Sequence, residues 1–193
     1  MNIIYLHGFA SSPSSIKAQM LQFYCDQHPD LTLHLPNLNM PVQQVLPKIS
    51  EMIHRLSDVV LIGSSLGGFY ATQLALAHAI PAVVINPAIR PWQLFRHLYG
   101  ANNLPYVVHP NWTLDEDQLV WLEQMAQTSA QDAGKILVLL QQGDEVLDYR
   151  EAEHFYTGTH SAMLITEAKG NHAMDDFAQK IPLALQFLAD CLK

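Results

Sequence analysis

A hydroxyl, an imidazole and a carboxylate can together carry out acyl transfer, and this chain holds candidates for all three. Gly63-Ser64-Ser65-Leu66-Gly67 is a G-x-S-x-G pentapeptide with Ser65 at its centre. A serine hydroxyl is a weak nucleophile at neutral pH. It needs a histidine to accept its proton, and that histidine needs a carboxylate to fix its tautomer. His172 stands late in the chain, in Gly170-Asn171-His172-Ala173-Met174. Between serine and histidine lies Gln142-Gly143-Asp144-Glu145-Val146-Leu147-Asp148-Tyr149, with three carboxylates. Serine, acid, histidine is the chain order expected of a nucleophile-elbow site.

Each candidate has competitors. Ser64 adjoins Ser65 but lacks glycines two places to either side. Asp144 follows a glycine and is the preferred acid. Asp148 is the reserve, with a second possible role capping a helix that starts near Tyr149, and Glu145 is expected to point away. Ten histidines dilute the signal. His154 and His160 precede the last strand, and His28, His54, His78 and His97 read as helix or surface residues. Acyl transfer also needs donors for the oxyanion, usually two backbone amides. Leu66, directly after the serine, should supply one. Phe9 of His7-Gly8-Phe9-Ala10 should supply the other, with Ala10 next in line. His7 is expected to brace that loop.

These groups must be positioned by strands and helices. Val59-Val60-Leu61-Ile62 is β-branched and apolar, a buried strand that runs into the pentapeptide, and Leu66 to Ala79 reads as helix. Strand, sharp turn and helix is the context that gives the motif meaning. Further strands are expected at Ile3–His7, Leu31–Leu35, Ala82–Asn86, Ile136–Leu140 and Ala162–Thr166. Helices are expected between them, with Ser14 capping the first. An apolar stripe from Val42 to Leu56 has helical spacing, with a helix expected to start near Pro47 or to kink there, and a last helix runs from about Asp175 to Leu192 with a bend expected at Pro182. Strands alternating with helices predict a parallel sheet covered on both faces.

The segment 87–134 is far longer than an ordinary crossover. It contains all three tryptophans, Trp92, Trp112 and Trp121. It is expected to be either a cap over a ligand site or a mini-core that packs onto the sheet.

The 193 residues suit a single domain, and 49 % apolar with 15 % charged residues is a globular composition. A net charge of −8 argues against nucleic-acid or anionic-membrane partners. No apolar run is long enough to span a bilayer, and the chain opens on a core strand without a signal-peptide pattern. A cytoplasmic location is therefore expected. Cys25 and Cys191 are then expected to be reduced. No metal-ligand spacing or nucleotide loop is present, so neither a metal nor a cofactor is expected.

Taken together, His7-Gly8-Phe9, the pentapeptide, Asp144-Glu145-Val146 and Gly170-Asn171-His172 resemble an α/β-hydrolase over almost the whole chain. The opening IIYLHGFASSPSS, the elbow LIGSSLGGFYAT and the later GDEVLDYREA are most similar to the small bacterial YqiA-like esterases. The resemblance implies a three-layer fold with a reduced sheet of about six strands and a helical cap. It implies carboxylesterase activity, with acyl thioesters as further substrates. Ser65, Asp144 and His172 take the family's nucleophile, acid and base places. If the fold holds, the first and last helices share one face and bring Cys25 and Cys191 near each other. A thioesterase or acyltransferase with the same triad, and a binding protein on an inactive hydrolase fold, remain open readings. Oligomeric state is not readable.

Overall fold

The computed structural model describes residues 1–100, 103–126, 133–157 and 162–193. Its centre is a six-stranded sheet in which every neighbouring pair is parallel. The strands are β1 (Asn2–Leu6), β2 (Thr32–His34), β3 (Val59–Ser64), β4 (Ala82–Ile85), β7 (Ile136–Gln141) and β8 (Met163–Glu167), in spatial order β2-β1-β3-β4-β7-β8. Between β4 and β7 the chain adds a separate antiparallel pair, β5 (Tyr106–His109) and β6 (Trp112–Leu114).

Alternation of side chains across the pleat divides the apolar residues between two layers. Ile4, Leu6 and Leu61 face one layer, with α2 (Val42–Arg55), α3 (Leu66–His78) and α6 (Tyr149–Tyr156). Ile3, Tyr5 and Ile62 face the other, with α1 (Ile16–Cys25) and α7 (Phe177–Cys191). Helices α1 and α7 do share one face, and Cys25 and Cys191 are both free thiols.

The central strands are buried on both sides, so they read in sequence as continuous apolar runs. Boundaries differ from the sequence reading where side chains decide them. Ser15, not Ser14, caps α1 by accepting the Ala18 amide. Helix α2 runs through Pro47. Strand β4 stops at Ile85 because Asn86 adopts φ 39° and turns the chain.

The insertion after β4 is not purely helical. It comprises α4 (Pro91–Tyr99), the β5–β6 hairpin and α5 (Glu116–Met125), while residues 101–102 and 127–132 of it lie outside the described residues. Trp92, Phe95, Trp112, Leu119 and Leu122 join the core on the α2–α3 side. Among the described residues, no helix is long and apolar enough to cross a membrane.

The strand order reverses between β1 and β3. The connection from β1 leads outward to β2, and that from β3 leads the other way to β4. In open α/β sheets the crevice at the carboxyl ends of two such strands is where ligands bind. The Gly8 loop leaves β1 there and the pentapeptide leaves β3 there.

Candidate active site

Ser65 occupies the turn between β3 and α3 at φ 56°, ψ −121°, a region that residues with a side chain rarely enter. Bonds on both sides hold it there. Its amide donates to Ile85 O at 3.0 Å, and its carbonyl accepts from the amides of Gly68, Phe69 and Ala88.

The flanking glycines explain why the turn can be this tight. A Cβ on Gly63 would lie 2.3 Å from Gly67 O, so the two ends of the turn do meet. A Cβ on Gly67 would lie 2.0 Å from Leu6 O. Gly67 is thus needed for contact with β1, not only for closing the turn.

The structure brings the three sequence-selected side chains into one hydrogen-bonded chain. Ser65 Oγ is 3.0 Å from His172 Nε2, and His172 Nδ1 is 2.8 Å from Asp144 Oδ2. The carboxylate of Asp144 is nearly sealed, with its side chain 2 % exposed. Its other oxygen, Oδ1, accepts the amides of Val146 and Leu147, so the buried charge is well supplied with donors.

Asp148 lies elsewhere. Its side chain accepts the Arg150 amide and caps α6, and it is 60 % exposed. Glu145 does not point away as its position in the sequence suggested. Its Oε2 accepts the amide of His172 at 3.0 Å and fastens the His172 loop to the Asp144 loop. His154 sits in the last turn of α6, and His160 lies outside the described residues.

Two further residues position the imidazole, and sequence reasoning did not single them out. Asn86, buried at the end of β4, donates from Nδ2 to the carbonyls of Asn171 and His172, while its Oδ1 accepts the Gln141 amide. Gln141, at the end of β7, accepts the Asn171 amide on Oε1 and donates to Glu167 and Asp176. The available signal was position: each is a polar residue closing an apolar strand.

Across Ser65 from His172 lies the loop after β1. A Cβ on Gly8 would lie 3.3 Å from Ser65 Cβ, so this backbone runs beside the hydroxyl. His7 braces it, with Nδ1 donating to Gly8 O at 2.9 Å and Nε2 accepting the Leu38 amide at 3.1 Å. These two bonds require a neutral ring, and burial pushes the His7 pKa down. Leu66 opens α3, and the first amides of a helix have no acceptor within it.

The Phe9 ring packs on Phe95 at 4.5 Å and on Trp112 at 5.7 Å between centroids, with Tyr99 and Tyr106 beyond. The insertion therefore reaches the site by holding Phe9. A cleft of about 390 Å³ opens at Ser65 and His172, bounded by Phe9, Ile16, Lys17 and Met20. None of its described lining residues belongs to the insertion. Among the described residues, no group of acidic, histidine or cysteine side chains is arranged to hold a metal ion.

Comparison with known proteins places the chain and its fold. The profile of the uncharacterised protein family UPF0227 matches residues 2–189. A UPF0227 protein of Shewanella sediminis is 30 % identical over 154 residues, which cover 76 % of this chain and 77 % of that one. Among solved structures, mouse alpha/beta hydrolase domain-containing protein 10 superposes with a TM-score of 0.76 at 16 % identity, covering 100 % of this chain and 90 % of that one. Est1E from Butyrivibrio proteoclasticus gives 0.74 at 14 % identity, covering 99 % and 88 %. The fold is that of the α/β-hydrolases.

Proposed function

The chain belongs to the uncharacterised protein family UPF0227, and from that premise we propose that it is a serine esterase. It cleaves carboxylic esters of small to medium acyl groups through an acyl-enzyme. One observation carries this reading: the continuous hydrogen-bonded chain from Ser65 Oγ through His172 to a buried Asp144.

The steps follow from that chain. His172 Nε2 takes the Ser65 proton as Oγ attacks the ester carbonyl. Asp144 holds the Nδ1–H tautomer and stabilises the imidazolium. The amides of Phe9 and Leu66 receive the oxyanion, where preorganised donors outweigh those of water. His172 returns the proton to the departing alcohol. Water then attacks the acyl-enzyme by the same route and releases the acid. The chemistry at Ser65 needs no metal or cofactor. The described part of the insertion 87–134 packs against the Phe9 loop and so supports that oxyanion donor, and two free thiols suit a reducing cytoplasm.

The test is hydrolysis of p-nitrophenyl esters of increasing acyl length, with matched acyl thioesters, by native protein and Ser65→Ala. Loss of the nucleophile is expected to lower kcat on the order of 10⁶-fold. A folded Ser65→Ala protein that keeps most of its activity would refute the assignment.

A further inference from the structure

The cleft at Ser65 contains a cation that the acyl-transfer steps do not use. Lys17 lies in the first turn of α1 and lines the same cleft as Ser65 and His172. Lysines are seldom withdrawn from water without a partner. Lys17 is only partly exposed, yet among the described residues no carboxylate comes within ion-pair distance of it. Every arginine forms an ion pair with a glutamate or aspartate, as do Lys180 and Lys193. Burial lowers the Lys17 pKa, while the charges of Asp175 and Asp144 nearby act the other way.

An ammonium partly withdrawn from water, facing a cleft and without a carboxylate at ion-pair distance, gains from an anion that arrives to pair with it, although Asp175 lines the same cleft and competes for it. The start of α1 faces the same cleft through Ser15 and Ile16, and the positive end of a helix favours the same kind of ligand. The molecule as a whole has the opposite sign, with a net charge of −8.

We propose that Lys17 is the specificity-determining residue of this cleft and selects esters that carry an anionic group, a carboxylate or a phosphate, close to the scissile bond. The proposal rests on Ser65 being the nucleophile. It narrows the substrate class from esters in general to anionic esters. Met20 and Ile16 line the same cleft, so an apolar spacer suits such a substrate.

The test compares matched esters: mono-p-nitrophenyl adipate and p-nitrophenyl phosphonopentanoate against p-nitrophenyl hexanoate. A second pair places the charge on the alcohol side, butyryl hydroxybenzoate against butyryl hydroxybenzamide. The native protein should favour an anionic member by about tenfold or more in kcat/KM, the scale of a charge-assisted bond. The arm that shows the preference identifies carboxylate or phosphate, acyl or alcohol side. Lys17→Met and Lys17→Gln should collapse the anionic-to-neutral ratio towards one, and Lys17→Arg should keep most of it. The same ratio in native and Lys17→Met proteins, both folded by circular dichroism, would overturn the proposal. If the native protein cleaves no ester, the Ser65 reading fails separately. Calorimetric binding of monomethyl adipate against dimethyl adipate then decides on Lys17. Tighter binding of the anion that disappears in Lys17→Met supports it, and equal binding of the two overturns it.

Discussion

Among individual residues, the two aspartates of the loop after β7 differ most in consequence, although they sit only four positions apart. Asp144 is buried and bonded to His172, whereas Asp148 is exposed and caps α6. Asp144→Asn should therefore lower kcat by about 10⁴-fold, because an amide cannot hold the required tautomer. Asp148→Asn should change it by a few-fold at most, since asparagine caps a helix equally well. Steady-state rates of the two variants on one ester check this.

His7 gives a pH-dependent prediction. Its native pKa is depressed by burial, so the unfolded chain binds the proton first. Stability is then complete above about pH 6.5, the ordinary imidazole value, and falls as pH drops through it towards the native pKa. Thermal unfolding of His7→Asn should show a shallower decline between neutral and mildly acidic pH. An unchanged pH profile would mean that the brace contributes nothing.

Single elements have sharper demands than their sequences reveal. The His172 loop is short, and side chains from two strand ends hold it. Asn86 and Gln141 supply these bonds from β4 and β7. Asn86→Ala strands three backbone groups at once, the buried Gln141 amide and two part-buried carbonyls, which should cost about 1–3 kcal/mol. It should also misplace the imidazole enough to lower kcat about a hundredfold. Urea unfolding and ester kinetics on the same preparation would read both effects. In that loop Gly170 takes φ 88°, and a Cβ there would lie 2.0 Å from Gln141 Oε1. Gly170→Ala should be destabilising through strain and through loss of that amide's position.

This scale also shows what the sequence reveals. Ser65 and His172 are legible because strand, turn and helix signals flank them in the expected chain order. Asn86, Gln141 and the true direction of Glu145 are not, because their partners are distant in sequence and come together only when the sheet forms.

For the molecule as a whole, the four buried central strands are readable from apolar runs and the two edge strands from shorter apolar or alternating segments, and the parallel sheet follows from their alternation with helices. The spatial order, and hence the crevice between β1 and β3, is not carried by any local pattern. The insertion was the least legible part. Its hairpin has a Pro110-Asn111 turn between β-branched residues, but surrounding aromatics mask that signal. Phe95 and Trp112 pack on Phe9, Trp92 packs on Phe69 of α3, and Trp121 is exposed; none of them lines the cleft, so they do not set its polarity.

Because the insertion shares the main core, it should not unfold alone. Trp112 is 4 % exposed, and its Nε1–H donates to Gln118 Oε1. Trp112→Ala should cost about 3–5 kcal/mol and lower a single unfolding transition. A new early transition in calorimetry would instead mark the insertion as a separate unit.

The central claim is that Ser65 is the nucleophile, activated by His172. Its most direct test is reaction with a fluorophosphonate, followed by intact-mass and peptide mass spectrometry. One adduct per chain on the peptide carrying Ser65, abolished in Ser65→Ala and strongly slowed in His172→Ala, is the predicted result. An adduct on Ser64, or no adduct on a protein that still hydrolyses esters, would contradict it.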